Sequence, residues 1–487
     1  MTEDKHFRAP VAEAMKAYAQ DGALAFHTPG HKQGLGAHPL LRELITSQGL
    51  REEVSLMEEL DDLHEPTMCI REAQELAAQL YGADAAYFMI NGTSGAIHAM
   101  IMGTLKPGDT VLLPRNAHRS MIGGLILAGV KPVFIQPRID RKLGIPMGLE
   151  LKDIEKAADE HPEAKALLLV YPTYYGVTID LQAAAEFVHS RSMLLLVDEA
   201  HGPHLKFSDR LPMQALDAGA DMAAQSTHKI LGSMTQTSIL LARAGRMDLE
   251  RVRSAASLLQ STSPNQLLLA SLDIARLQMA EQGVELVGRA VRLAEKLRQA
   301  VNAIPGLWSF GADYLPAGES LDLTKVTVSV RGLGITGVQA ESILRHEYKI
   351  QCELADAYNL LFIISYADTD EQVRVLTGAL QKMAARFADR EELTLQVAIP
   401  PVPALGISPR AAFFGGQETV AFEDAAGCIA AEQIMFYPPG IPILSPGDEI
   451  APGALCYIRT MQRLGLKVVG PADTSLKTIQ IVRDNDK

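Results

Sequence analysis

Between about residues 72 and 245 the chain alternates short apolar runs with longer stretches whose apolar positions recur every three or four residues. The runs Ala85–Ile90, Thr110–Pro114, Pro132–Gln136, Ala166–Tyr171, Met193–Val197 and Met222–Gln225 have the length and flanking of buried strands. Between them Gly95–Leu105, Met121–Ala128, Leu151–His161 and Leu181–Ser190 read as helices. Strand and helix in turn imply an α/β fold whose sheet is mainly parallel and covered on both faces. A ligand in such a sheet sits beyond the carboxyl ends of its strands.

The flanks read differently. Residues 1–71 form an arm, in which Phe26-His27-Thr28-Pro29-Gly30-His31-Lys32-Gln33-Gly34 is a loop too poor in apolar residues to pack alone. The large domain is placed at 72–310 and ends in a long helical pattern, Gln266–Ala303. Strands Lys325–Val330, Ile350–Leu354 and Leu360–Ser365, with helices Gly337–Glu347 and Glu371–Phe387, predict a smaller α+β domain over 311–395. The join Ile399-Pro400-Pro401-Val402-Pro403 leads into a C-terminal module, 396–487.

The polar clusters fall where a parallel sheet binds its ligand. Asn91-Gly92-Thr93-Ser94-Gly95, Arg115-Asn116-Ala117-His118, Tyr171-Pro172-Thr173-Tyr174-Tyr175-Gly176, Asp198-Glu199-Ala200-His201 and Ser226-Thr227-His228-Lys229 each follow a predicted strand. Five loops converging on one rim point to a single active site. Lys229, beside hydroxyls and an imidazole, suggests a Schiff base to an aldehyde cofactor. Asp198 ends a buried strand, where a carboxylate is costly unless a cation pairs with it. A pyridinium N–H would be that cation; a metal bound by Asp198, Glu199, His201 and His204 is the competing reading, although no zinc template matches. Thr93, Ser94 and Gly95 run from a strand end into a helix start, which suits a phosphate or an ordinary helix cap equally. His118 could stack on a pyridine ring or stand solvated in its loop. Read as an extended strand end, Ser226 and His228 point one way, toward a phosphate, and Lys229 the other.

Bulk properties narrow the setting. A chain of 487 residues suggests about three domains. Hydrophobic residues at 47% and charged ones at 21% are those of a soluble globular protein. The formal charge of −13 and the lack of a basic tract argue against nucleic acid. No apolar run approaches the ~20 residues of a membrane helix, and the N-terminus lacks a signal-peptide pattern. Cys69, Cys352, Cys428 and Cys456 show no CxxC spacing, so a reducing cytoplasm is expected, with no structural metal.

With Phe26–Lys32, Asn91–Gly95, Arg115–Ser120, Asp198–Gly202, Ser226–Lys229 and Tyr437-Pro438-Pro439-Gly440-Ile441-Pro442 in that order, the chain resembles the Orn/Lys/Arg decarboxylases, in their short bacterial form. The resemblance implies the fold type I, aspartate-aminotransferase-like architecture and the cofactor pyridoxal 5′-phosphate. It implies that Lys229 carries the cofactor, Asp198 pairs with its ring nitrogen and His118 stacks on the ring. Thr93, Ser94, Gly95, Ser226 and His228 would surround the phosphate, with Ala200 and His201 also at the cofactor. Thr262, in Ser261-Thr262-Ser263-Pro264, would reach the phosphate of a partner subunit. Longer members carry an extra N-terminal domain that assembles a decamer, and a tryptophan at the position of His201; here a homodimer with shared sites is the minimum expected.

The implied reaction is decarboxylation of a basic amino acid, foremost L-arginine to agmatine and CO2 in polyamine synthesis, with lysine and ornithine as alternatives. The substrate amine would displace Lys229, the Cα–carboxylate bond would stand perpendicular to the ring, and a proton would return to Cα from Lys229 or a neighbouring imidazole. Glu353 is favoured as partner of the distal cation over Asp61 and Asp62. An aminotransferase of the same fold, with Arg331 as its carboxylate clamp, and a non-catalytic cofactor-binding protein stay open.

Overall fold

The computed structural model describes residues 6–395, 399–436 and 440–483; Tyr437, Pro438 and Pro439 of the last motif lie outside the described residues. The strands that matter for the site are β1 (Ala85–Met89), β2 (Thr110–Pro114), β3 (Lys131–Ile135), β4 (Ala164–Val170), β5 (Leu194–Asp198), β6 (Met222–Gln225) and β7 (Ser238–Ala242). The chain divides into two compact units, the first comprising 1–104, 196–208 and 213–285, the second the remainder.

In the first unit the strand order is β1-β7-β6-β5. β5 and β6 run parallel, with Leu196 opposite Met222 and Asp198 opposite Ala224. β7 is antiparallel to both β6 and β1. It was not anticipated, because the short run Ser238–Ala242 follows Lys229 with no helical stretch between, outside the strand–helix alternation that marked the others. All five of its residues are buried. Helix Gly92–Thr104 follows β1 and lies against helix Leu249–Leu259. The two come close enough that a Cβ on Gly103 would stand 2.8 Å from the Cα of Val252, so only glycine fits.

In the second unit β4-β2-β3 form a parallel set. The side chains of β2 are all buried and those of β4 mostly so, as a sheet covered on both faces requires, while β3 is partly exposed. A smaller antiparallel sheet, Lys325–Ser329, Asn359–Ile363 and Leu354–Ala355, carries helices Gly337–Tyr348 and Asp370–Arg386. Each helix starts with a reciprocal capping box, Thr336 with Gln339 and Thr369 with Gln372. The strand expected at Ile350–Leu354 is only two residues, Leu354–Ala355. Lys349 turns left-handed (φ 58°) and Ile350 N–H returns to Leu344 O, so residues 349–353 are spent leaving the helix. Beyond residue 400, Gln417–Ala421 pairs with Thr478–Val482, and Ile434–Phe436 pairs with Ile441–Leu444 and Val468–Val469. Among the described residues no helix is long and apolar enough to cross a membrane.

Candidate active site

β5 ends in adjacent carboxylates with different fates. Glu199 is fully buried; one oxygen accepts Ala215 N–H at 2.7 Å and the other Gln225 Nε2–H at 2.8 Å. Asp198 is also buried, yet its one hydrogen bond comes from Ala200 N–H at 3.1 Å. Burial pushes Asp198 up to about 6, and the nearby Lys229 cation pulls it back. A buried carboxylate of this kind suits one more cation or N–H donor.

Lys229 does not sit on an extended strand end. Thr227–Ile230 is a helical turn, closed by Lys229 N–H to Ser226 O and Leu231 N–H to Thr227 O. The expected alternation of Ser226 and His228 against Lys229 therefore fails, since a turn rotates successive side chains by about 100° rather than 180°. Lys229 is solvent-exposed, and its Nζ meets Nε2 of His201 at 3.1 Å. His201 is buried two residues beyond the strand-end pair. His228 donates Nδ1–H to Thr237 O at 2.7 Å, and burial lowers its pKa.

The hydroxyls gather where helix Gly92–Thr104 begins. Thr93 Oγ1 is hydrogen-bonded to Ser226 Oγ and, at 2.9 Å, to Ser238 Oγ, which itself donates to Gln225 O. Gly92 takes a positive φ of 68° that lets the chain turn from β1 into the helix, its N–H bonded to Gln236 O. At Gly95 a Cβ would lie 2.9 Å from that of Asn91. Ser94 is exposed on the first helical turn. The start of that helix, together with the Thr93 and Ser226 hydroxyls, makes a donor set that suits an anion. Ser238 was missed because its strand was missed; a hydroxyl heading an apolar run close after the lysine turn was the available signal. Thr262 stands exposed between Ser261 and Ser263 in the loop after helix Leu249–Leu259.

The remaining candidates separate by their partners. In the second unit, His118 caps helix Arg119–Ala128, with Nδ1 accepting Ser120 N–H and 2.8 Å from Ser120 Oγ. Arg115, three residues earlier, is committed to Asp448 and Ile443 O and lies over Phe134. Arg331 donates to the carbonyls of Lys142 and Leu393 and covers the Tyr358 ring. Asp61 accepts the N–H groups of Asp62, Thr67, Met68 and Ile70, and these bonds hold its carboxyl below the usual range against burial. It organises the turn into helix Cys69–Tyr81, and Asp62 caps His64 N–H beside it. Glu353, by contrast, is exposed and bonded through one oxygen to the Tyr174 hydroxyl. Next to it, Tyr175 donates to Asp356 at 2.7 Å. Among the described residues no group of three or more His, Cys, Asp or Glu could hold a metal ion.

Comparison with known proteins adds a family. Residues 9–316 match the major domain of the Orn/Lys/Arg decarboxylases and residues 400–472 their C-terminal domain. An arginine decarboxylase of Bacillus anthracis is 44% identical over 482 residues, 98% of each chain. That of Bacillus subtilis is 42% identical over 479 residues, again 98% of each. The crystal structure of a lysine decarboxylase from Francisella novicida shares the fold, with a TM-score of 0.86 at 21% identity over 98% of this chain and 82% of that one.

Proposed function

The chain belongs to the Orn/Lys/Arg decarboxylase family, and from that premise we propose that it converts L-arginine to agmatine and CO2 with pyridoxal phosphate held at Lys229. The observation that carries this is the strand end at Asp198: a buried carboxylate with one backbone donor, under the influence of an exposed lysine amine. The residues fit the cofactor. The Thr93, Ser94 and Ser226 hydroxyls at the start of the helix offer donors for a phosphate. Asp198 offers its open oxygen to a ring N–H, and Lys229 offers an amine. By the family resemblance His118 would stack on the ring, Ala200 and His201 would lie at the cofactor, His228 would join the phosphate donors, and Thr262 would reach the phosphate of a second subunit.

When bound, the cofactor supplies an aldehyde carbon and an electron sink; orientation and proton handling fall to the protein. Asp198 would hold a proton at the ring nitrogen, which its buried site favours over releasing that proton to water. Lys229 would yield its place to the substrate amine and later give a proton to Cα. Glu353, its second oxygen unclaimed, would take the distal guanidinium, and Tyr174 would keep it aimed. Arg331 is spent on backbone carbonyls, which speaks against the carboxylate clamp of an aminotransferase.

A second copy of the chain is the natural cover for the arm. Leu24, Phe26, Leu35 and Leu44 are each at least 80% exposed, and helix Pro39–Ile45 buries none of its residues. Such a stretch needs a partner in water, which supports a homodimer. All four cysteines are free, which supports a reducing, cytoplasmic setting.

The test is turnover by the purified chain, sized by light scattering, with pyridoxal phosphate and arginine, lysine or ornithine in parallel. Trapped CO2 and stoichiometric agmatine from arginine are expected, and neither from Lys229→Ala. Keto acid without CO2 would show an aminotransferase, and turnover unchanged in Lys229→Ala would leave only a binding protein.

A further inference from the structure

We propose that His201 is the proton partner of Lys229, taking a proton from the incoming substrate amine and passing it to the lysine amine as that amine is set free. The inference rests on the reading above that Lys229 carries the cofactor, and it deepens that reading. Its carrying observation is the 3.1 Å contact between Lys229 Nζ and His201 Nε2. Imidazole nitrogen can accept from an ammonium or donate to a free amine, and it titrates near neutrality; no other side chain type does both there. Only 5% of His201 is exposed, so the ring is fixed against the lysine rather than sampling solvent.

Asp198 and His228 also feel the charge of that amine. Asp198 lies at the end of β5, an anion whose role is set by its second oxygen. His228 sits on the lysine's own turn with Nδ1–H committed to Thr237 O, and burial lowers its pKa. At 3.1 Å two cations side by side are strongly disfavoured, so the contact favours one proton between Lys229 Nζ and His201 Nε2. Longer family members have tryptophan at this position. Indole donates but never accepts, so it cannot take part in such an exchange.

The proton balance closes through this pair. An incoming substrate has an α-ammonium that must lose a proton before its nitrogen can attack; His201 Nε2 accepts that proton as the N–H bond breaks. As the substrate nitrogen takes the place of Nζ its two remaining protons would pass to Nζ, and the imidazolium N–H would break to supply the third, leaving a lysine cation and a neutral ring. When the Cα–carboxylate bond breaks and CO2 departs, the electron pair left on Cα takes a proton from Nζ. Lys229 is then a neutral amine, as re-attack requires, and the product amine takes its last proton from water.

The test compares wild type with His201→Gln, which hydrogen-bonds without titrating, and His201→Phe, which does neither. In the cofactor-free full chain, acylation of Lys229 by acetic anhydride is followed against pH by peptide mass spectrometry, with surface lysines as internal controls. Wild type should give a two-step profile with one inflection near pH ~6–7, and both variants a single step. In the loaded enzyme both variants should lose roughly 10- to 100-fold in kcat with KM within about threefold. Full kcat in His201→Gln would show a purely positioning role and overturn the proposal, as would one-step profiles in all three chains. If His201→Phe does not fold, the near-isosteric glutamine variant decides alone. Loss of all labelling contrast at Lys229, together with no CO2 from wild type, would instead count against the cofactor reading.

Discussion

The end of β5 in the first unit and the turn 352–359 in the second are built on one plan. Each sets two carboxylates close in sequence, Asp198 with Glu199 and Glu353 with Asp356, and in each pair one is saturated with donors and the other is not. Glu199 has Ala215 N–H and Gln225 Nε2–H; Asp356 has Tyr175 OH, the N–H groups of Tyr358 and Asn359, and the Asn359 amide. Asp198 has one backbone donor and Glu353 one hydroxyl. A buried anion whose lone pairs are all taken fixes the chain around it, and one with a lone pair to spare can meet a ligand. Donor count separates scaffold from chemistry where residue type does not. The regions differ in burial: Asp198 is enclosed and Glu353 exposed, as befits partners for a fixed ring nitrogen and for the mobile end of a substrate.

The largest effect that would sharpen this contrast is expected at Asp198. Asp198→Asn keeps the shape but cannot hold a proton on a ring nitrogen, and kcat should fall about 10³-fold, on the order of 4 kcal/mol of barrier. Steady-state kinetics alongside circular dichroism checks it. Undiminished kcat with a native spectrum would show that Asp198 is scaffold like its neighbour.

A smaller, different effect is expected in the second unit. Glu353→Gln still accepts the Tyr174 hydroxyl but carries no charge, so KM for arginine should rise roughly 10- to 100-fold with kcat nearly unchanged. Asp356→Asn should leave KM alone and lower the melting temperature by a few degrees. An inverted result, with KM tracking position 356, would break the assignment of open and saturated carboxylates.

Most of this was legible in the residues, and what was not has a local cause. Six of the seven strands, the helices between them and the loops bearing Thr93, Asp198 and Lys229 followed from apolar runs punctuated by polar clusters. β7 did not, because its short run follows the lysine turn with no helical stretch between, outside the strand–helix alternation that marked the others, and it pairs antiparallel. The turn at Thr227–Ile230 did not, because a single helical turn leaves no pattern longer than itself. Asp61 and Glu353 looked alike as acidic loop residues. What separates them is Thr67, Met68 and Ile70 folding back onto the first, and Tyr174 arriving at the second from 179 residues away. Contacts of that span follow from topology, which five loop motifs indicate but do not place atom by atom.

The smallest expected effect concerns the saturated member of the first pair. Burial pushes Glu199 from its ordinary 4.5 up to about 8, with Asp217 adding to the rise and the bonds from Gln225 and Ala215 opposing it. The folded state therefore binds this proton more tightly than the unfolded chain. Its stabilisation is complete below about pH 4.5 and is lost as pH climbs through about 8. Between pH 5 and 8 the loss is on the order of 3 kcal/mol at most, worth a few degrees of melting temperature in a chain this size. Glu199→Gln cannot ionise. Its amide oxygen can still accept Ala215 N–H, and its NH2 can donate to the buried Gln225 Oε1, which otherwise has no hydrogen-bond partner. The variant should match wild type near pH 5, melt higher near pH 8 and keep its kcat, as calorimetry and turnover across that range would register. Equal melting curves at both pH values would mean that Glu199 is already ionised in its pocket, and that saturation by two donors outweighs burial there.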